Sequence, residues 1–403
     1  VSLRRDTLWS LVAVAGPAPL TLAATVVLAR SLGAEAHGQV QAALSLWVLA
    51  ATVGNAGFVA ASIHQVRRLG RPAAEALGTG LLGVTLAGGG LALVMLLGQD
   101  MLRREVLLGA PPSLLIGVLV LLAPTLWGAV AGGVARATDR FSLWTRMEWL
   151  SRGGRLVAWA CLWAAGLASP TTVLFGAAVV ELGVVGAGAW GLRAEGRPRR
   201  GSLGDAARFG LPASATAIGG QLHERVDLFL LAALRGDPTE VAVYAVAVGV
   251  VGRLRVVPLA VAAALFPAVA SAERAEGVAL ARRAVGVSVG GSLGLALGVL
   301  AVAPWVVPWL FGAVYADAVL PMAVLAPGAV AYGVYLVLAR WFQGVERQRV
   351  NLAALGAATS LNVVLNLWWI PRYGALGAAA ASAVSYGLQG AWVAVTFMRA
   401  GRA

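Results

Sequence analysis

The chain of 403 residues contains no lysine; all 31 of its basic residues are arginine. A Gly-Lys-Ser/Thr phosphate loop and a Schiff-base lysine are therefore both excluded, and any ATP-driven step would need a separate subunit. Cysteine occurs once, as Cys161 inside an apolar stretch, so no intramolecular disulfide can form. The three histidines, His37, His64 and His223, are dispersed, and no metal site is expected. Charge is scarce as well: charged residues make up 12% of the chain, about half the share of an ordinary soluble domain.

What fills the chain instead is apolar sequence, at 59% of residues and a mean hydropathy of +0.81. It falls into stretches near the roughly 20 residues that a helix needs to cross a hydrocarbon core of about 30 Å. The first set is Leu8–Ala29, Val40–Ile63, Leu77–Leu97, Leu114–Val134, Trp149–Leu167 and Thr172–Leu192. The second is Phe209–Leu234, Val241–Ala264, Val285–Val307, Val319–Leu338, Leu352–Trp369 and Leu376–Met398. Between the sets lies the basic segment RAEGRPRRGSLGDAAR. The expected architecture is an all-α polytopic membrane protein of twelve transmembrane helices in two six-helix bundles, residues 1–192 and 209–403, joined by a cytoplasmic linker at 193–208. The apolar run after Arg4 and Arg5 reaches Ala29, longer than a signal-peptide core, and is expected to be a retained first span.

The net charge of +13 is scattered through the loops flanking these spans, which points to membrane orientation rather than nucleic acid. Alternating loops divide the arginines unequally. One side holds 23 of the 31 and the other 5, with Arg225, Arg253 and Arg255 inside spans. Basic residues stay on the cytoplasmic side, so both termini are expected there, in a multi-pass bacterial inner-membrane protein. The outer loops are short, the longest being near Gly98–Ser113, and none could house the catalytic domain of a glycosyltransferase, polymerase or ligase. The chain is therefore not expected to be an enzyme. Trp305, Trp309, Trp368 and Trp369 on one side and Trp144 and Trp149 on the other suit interfacial belts. The halves also echo each other at their first outer turns, LARSLGAEAHGQVQAALS (28–45) and LAALRGDPTEVAVYAVAVG (231–249). That is the mark of two bundles related by an axis along the membrane normal, with substrate between them.

In this order and on these spans the motifs resemble the Wzx-type polysaccharide flippases. These belong to the multidrug/oligosaccharidyl-lipid/polysaccharide exporter superfamily, with lipid II flippases and MATE antiporters as cousins. LARSLGAEAHG is similar to R-x-L-G-x-x-x-x-G. Asp227, Leu231, Val241, Tyr244, Ala247, Phe266 and Pro267 are similar to D-x-x-x-L…G…V-G-x-Y-x-x-A…F-P. FGAVYADA (311–318) and NVVLNLWWIPRYGALGAA follow the same pattern further on. Two departures stand out: Ala242 replaces the glycine of V-G-x-Y, and His37 replaces an aromatic before Gly38. The resemblance implies a V-shaped pair of bundles working by alternating access. It also implies a substrate of undecaprenyl-pyrophosphate-linked oligosaccharide, moved outward for polysaccharide or O-antigen synthesis. Membrane lipids, and a polymerase or glycosyltransferases, would be its neighbours. The alternatives on the same fold are an ion-coupled exporter of organic cations and a lipid II flippase.

Charge inside the spans marks the candidate site. Gln221, His223, Glu224, Arg225 and Asp227 crowd the seventh span, and Arg253 and Arg255 the eighth. At mid-bilayer each charge costs about 2.5–3.5 kcal/mol, so five left facing lipid would cost roughly 12–18 kcal/mol. They must pair or line a wet cavity. One reading makes an arginine the structural partner of Asp227 or Glu224. The other leaves an arginine to grip pyrophosphate with its bidentate fork. Substrate-binding candidates are thus Arg225, Arg253, Arg255, Gln221 and Asn55, the last from GNAG in the second span. Candidates for a counter-ion, or for Na⁺ or H⁺ coupling, are Asp227, Glu224, His223 and the isolated Glu181 of the sixth span. No cofactor is expected. Asn362 and Asn366 suit either a sugar or a helix–helix hydrogen bond. The ladder Gly286, Gly290, Gly294 and Gly298 suggests close packing inside the second bundle.

Overall fold

The structure, a computed structural model, describes residue 12 and residues 16–271 and 274–400, without the side chains of 266–268 and 270–274. Arg4, Arg5, most of the first apolar stretch before Gly16, and the side chains of Phe266 and Pro267 lie outside what is described. Among the described residues there is no strand, and twelve helices have ten or more residues. The first seven are α1 (Ala18–Asn55), α2 (Phe58–Arg67), α3 (Ala73–Leu97), α4 (Pro112–Ala137), α5 (Phe141–Ala164), α6 (Pro170–Leu192) and α7 (Leu203–Arg235). The others are α8 (Pro238–Val251), α9 (Val256–Ser271), α10 (Arg274–Phe311), α11 (Val319–Gly344) and α12 (Gln348–Ala400). The chain forms two compact units, Val1–Gln221 and Leu222–Ala403, dividing inside α7.

Helices and apolar stretches do not correspond one to one, because glycines and tightened turns subdivide or join them. α12 has 53 residues, about 80 Å if straight, more than twice the hydrocarbon thickness. It is broken at Gly374 (φ 54°, ψ −131°), a conformation suited to a residue without Cβ, and so supplies the last two spans. Gly33 (φ 75°) breaks α1 in the same way between the first two. The second span bends again by 43° between α1 and α2, at Ala56 and Gly57. The eighth is α8 and α9 joined by the 3₁₀ turn Gly252–Arg255. Seven helices, or eight with the bent α1–α2 pair taken as one span, are long and apolar enough to cross a membrane. α5 and α7 are not among them, since α5 carries Arg146, Glu148, Arg152 and Arg155 and α7 carries Glu224, Arg225 and Asp227. This is a multi-pass membrane protein.

In the first unit α4 is the central helix. Leu114, Val118, Leu121, Val130, Val134 and Ala135 on it are all fully or almost fully buried. α11 plays that part in the second unit, where Val337, Leu338 and Phe342 pack with Ala354 and Val393 of α12. These are the fourth and tenth spans, six apart, each with an internal proline (Pro124, Pro327). The repeat seen in the loops therefore extends to the role of the helices. Residues 196–205 run beside the start of α3. Arg199 N–H donates to Ala74 O at 2.9 Å and Gly201 N–H to Thr79 Oγ1 at 2.8 Å, while Arg71 bridges Glu75 and Asp205.

One expectation is reversed. Gly286, Gly290, Gly294 and Gly298 are exposed, and a Cβ on any of them would meet nothing within 4 Å. The ladder thus packs against no helix of its own unit. The opposite face of α10 is the one that turns inward, carrying Ser288, Ser292 and Ala296.

Candidate functional site

The charged stretch of α7 enters the second unit at Leu222, and the four side chains from His223 to Asp227 that were singled out separate onto different partners. Glu224 Oε1 lies 2.7 Å from Arg255 Nη1, and Tyr332 OH donates to the same oxygen at 3.3 Å. The Arg255 guanidinium sits 4.8 Å above the Tyr332 ring and 6.0 Å from that of Tyr386, with Nη2 donating to Tyr386 OH at 3.5 Å. The tyrosine rings lie 4.9 Å apart, and Tyr335 stacks on Tyr332 at 5.4 Å. A carboxylate and two tyrosines thus compensate one guanidinium, with Tyr335 backing Tyr332. For Arg255, the pairing reading is the one realised here.

Asp227 is two percent exposed and holds a different set. Its Oδ2 accepts from Tyr244 OH at 2.5 Å and Ser382 Oγ at 2.9 Å, and its Oδ1 from Leu228 N–H at 2.7 Å. Behind Ser382 the polar chain continues. Asn362 Nδ2 donates to Ser382 Oγ and Ser385 Oγ, and Asn366 Nδ2 to Asn362 Oδ1 at 2.8 Å. Of the two roles open to Asn362 and Asn366, a hydrogen bond between helical segments is therefore present. His223, although one turn from Asp227, faces elsewhere: its ring meets the Tyr386 ring edge-on at 5.2 Å, and both ring nitrogens are buried.

Arg253 and Arg255 share the 3₁₀ turn Gly252–Arg255. With three residues per turn they diverge by about 120°, and each meets a different environment. Arg225 and Arg253 are half-buried. Gln221 is the last residue of the first unit.

The first unit corrects one expectation and specifies another. Glu181 is not isolated. It is buried, accepts from Ser151 Oγ at 2.6 Å, and lies 3.7 Å from Arg155 Nε. Helix α5 runs unbroken from Phe141 to Ala164 and carries Arg155 inward. Asn55 Oδ1 accepts from Val59 N–H at 3.1 Å, which satisfies an amide at the start of α2 across the bend. Sequence reasoning missed Tyr332, Tyr386 and Ser382, since tyrosines and serines in apolar helices carry no periodic signal. Their cue was local: SAVSYG places Ser382, Ser385 and Tyr386 within one turn of each other.

The profile of the polysaccharide biosynthesis protein family matches residues 3–273. The chain belongs to that family. The MatE family profile matches residues 212–368. No curated protein matches the sequence. Among solved structures, an inward-facing multidrug resistance MATE family transporter of the MOP superfamily is 18% identical over 96% of this chain and 94% of that chain, with a TM-score of 0.72. The lipid II flippase MurJ in an inward closed conformation is 12% identical over 96% of this chain and 87% of that one, at 0.77. A eukaryotic MATE transporter is 16% identical over 100% and 98%, at 0.65. At these identities the likeness shows the fold. Together with the family it makes this polysaccharide biosynthesis protein a membrane transporter of the multidrug/oligosaccharidyl-lipid/polysaccharide exporter superfamily.

Proposed function

We propose that the protein moves undecaprenyl-pyrophosphate-linked oligosaccharide from the cytoplasmic to the outer leaflet of a bacterial inner membrane, by alternating access. The observation that supports this most is the polysaccharide biosynthesis profile, which runs to residue 273 and takes in both charged stretches, 223–227 and 253–255. Those stretches carry three arginines against Glu224 and Asp227, a surplus that suits an anionic group. A pyrophosphate reaching them competes with Glu224 for Arg255, offering two oxygens to a fork that Glu224 engages through one. Arg225, Arg253 and Gln221 are its further ligands. Asp227 is the coupling group, binding H⁺ or Na⁺ among hydroxyls that can rotate between donating and accepting. Both termini are cytoplasmic, and the exported glycan passes to a polymerase or to ligating glycosyltransferases outside.

A second reading has one specific support. Glu224 and Tyr332, both inside the segment matched by the MatE profile, together with Tyr386 beyond it, also suit an organic cation exchanging with Arg255. Reconstitution separates the two. Vesicles holding the protein, a fluorescent lipid-linked oligosaccharide and a defined Na⁺ or H⁺ gradient should show outward flux, reduced at least about tenfold by Arg255→Ala or Arg253→Ala. Export of ethidium without lipid flux would replace the first reading by the second. Flux of lipid II alone would narrow the substrate to a lipid II flippase.

A further inference from the structure

The first unit holds a cavity of about 280 Å³, lined from α1, α2, α4, α5 and α6. Three arginines and two glutamates reach it: Arg136, Arg152, Arg155, Glu148 and Glu181. Two of the arginines are spoken for. Arg155 pairs with Glu181, and Arg152 Nη2 lies 3.6 Å from Glu148 Oε2. Arg136 is different. Among the described residues it has no carboxylate at ion-pair distance, and its hydrogen bond is through Nε to Gly132 O at 3.3 Å. Its guanidinium lies 5.0 Å from the Trp144 ring centre, as that of Arg155 lies 5.3 Å from Trp47. Stacking holds the plane of Arg136 while leaving its fork of N–H donors for a ligand.

The charge balance of the lining selects the ligand. Three arginines and two glutamates sum to a single surplus positive charge, matched by one carboxylate. A pyrophosphate would bring more negative charge than the pocket compensates, beside two glutamates that repel it. Of the remaining polar lining, Asn55 offers its amide N–H groups, its Oδ1 being held by Val59 N–H. Thr125 Oγ1 and Ser151 Oγ already donate to Leu121 O and Glu181 and keep only acceptor capacity for sugar hydroxyls. Trp47 and Trp144 each already hold a guanidinium over the ring, which leaves recognition chiefly to polar edges rather than to stacking.

We propose that this pocket binds a sugar bearing one carboxylate, a uronic acid, with Arg136 taking the carboxylate in a two-pronged contact. Extended to transport, this rests on the flippase reading and names the class of glycan moved: one that contains an acidic sugar. Binding itself does not depend on that reading.

The test uses the full chain in detergent micelles and saturation-transfer NMR. The probes are a disaccharide containing glucuronate, its neutral counterpart reduced at the carboxyl group, and inorganic pyrophosphate. The acidic disaccharide should bind and the neutral one should not. Arg136→Gln should weaken binding about tenfold to a hundredfold, and Arg136→Lys less, because it keeps the charge and loses the fork. Equal binding of the two disaccharides, no binding of either, binding indifferent to Arg136→Gln, or displacement of the sugar by pyrophosphate would each overturn the proposal. The acidic-over-neutral preference is read on the unaltered protein, so a variant that fails to fold leaves the test standing. Flux of the matching lipid-linked glycans in vesicles separates the two proposals. If neither is moved while binding follows Arg136, the flippase reading fails and the pocket stands. If both are moved equally and binding shows no preference, the pocket fails and the flippase stands.

Discussion

Asp227 and Tyr244 meet at 2.5 Å, a phenol hydroxyl on α8 donating to a carboxylate on α7 that also accepts from Ser382 on α12. One oxygen thereby ties together three helices inside a single unit. Nothing in this geometry requires an arginine to hold the carboxylate in place, which separates Asp227 from Glu224, whose oxygen meets Arg255 directly. Two carboxylates three residues apart on one helix have become one ion-paired group and one hydroxyl-bound group.

Asp227→Ala should therefore leave two buried hydroxyl donors without their acceptor, at about 1–3 kcal/mol for each. Asp227→Asn keeps an acceptor oxygen and should melt close to the unaltered protein. In vesicles the asparagine variant should still carry substrate, with flux that no longer responds to the Na⁺ or H⁺ gradient. Gradient-dependent flux at the normal rate in Asp227→Asn would exclude Asp227 as the coupling group.

The Glu224–Arg255 pair makes a different demand. Removing one partner leaves the other charge half-buried and uncompensated, which costs at most about 3–5 kcal/mol, whereas removing both together costs much less. The double variant Glu224→Gln, Arg255→Gln should accordingly be more stable in detergent than either single variant. It should not recover flux, because the guanidinium fork that Arg255 offers to pyrophosphate is gone. Additive melting shifts would show that the pair is not coupled.

Much of this was legible in the sequence, and the reasons are physical. Apolar length gave most of the long helices, since hydrocarbon thickness sets it, while α5 and α7 carry too much charge to pass on length and hydropathy alone. The crowd of charges from His223 to Asp227 marked the candidate site, because intramembrane charge is costly and must be compensated. Partner choice was not legible. Whether Arg255 meets Glu224 or Asp227 depends on a 3₁₀ turn at Gly252 that shifts its direction, and no periodicity announces such a turn. Glu181 looked solitary because its partner, Arg155, lies on another helix. The glycine ladder of α10 failed for a related reason: spacing shows that a face is narrow, not which way it points.

A pH effect is expected outside the membrane-spanning segments. Hydrogen bonds from Ser202 and then Arg71 hold the Asp205 carboxyl below its ordinary value of 3.8. A carboxyl depressed in the folded state stabilises above its unfolded value and loses that contribution as pH falls through the folded one. The segment 196–205 should thus stay protected from hydrogen exchange, corrected for intrinsic rate, from neutral pH down to about 4 and loosen below it. In Asp205→Asn the protection should be lower at neutral pH and flat across that range. An unchanged acid response in the variant would assign the effect to another group.

Two glycines separate backbone strain from crowding. Gly57 and Gly70 both have positive φ, 77° and 61°. A Cβ at Gly70 would meet nothing within 4 Å, while one at Gly57 would fall 1.9 Å from the carbonyl oxygen of Gly210 on α7. That seam is continued by His64 and Phe209, whose rings stack at 3.9 Å and 11°. Gly70→Ala should therefore cost only the left-handed conformation, about 1–2 kcal/mol. Gly57→Ala adds a backbone clash that no rotamer relieves, and the seam must part. Its total should reach about 4 kcal/mol or more, among the most disruptive single changes. The comparison is made by thermal melting in one detergent, with Gly210→Ala as a third variant expected to resemble Gly57→Ala, since its Cβ would meet Gly57 O at 2.8 Å. If Gly57→Ala and Gly70→Ala melt together, α2 and the first half of α7 are not in close contact, and the bend at Ala56 and Gly57 has some cause other than their approach.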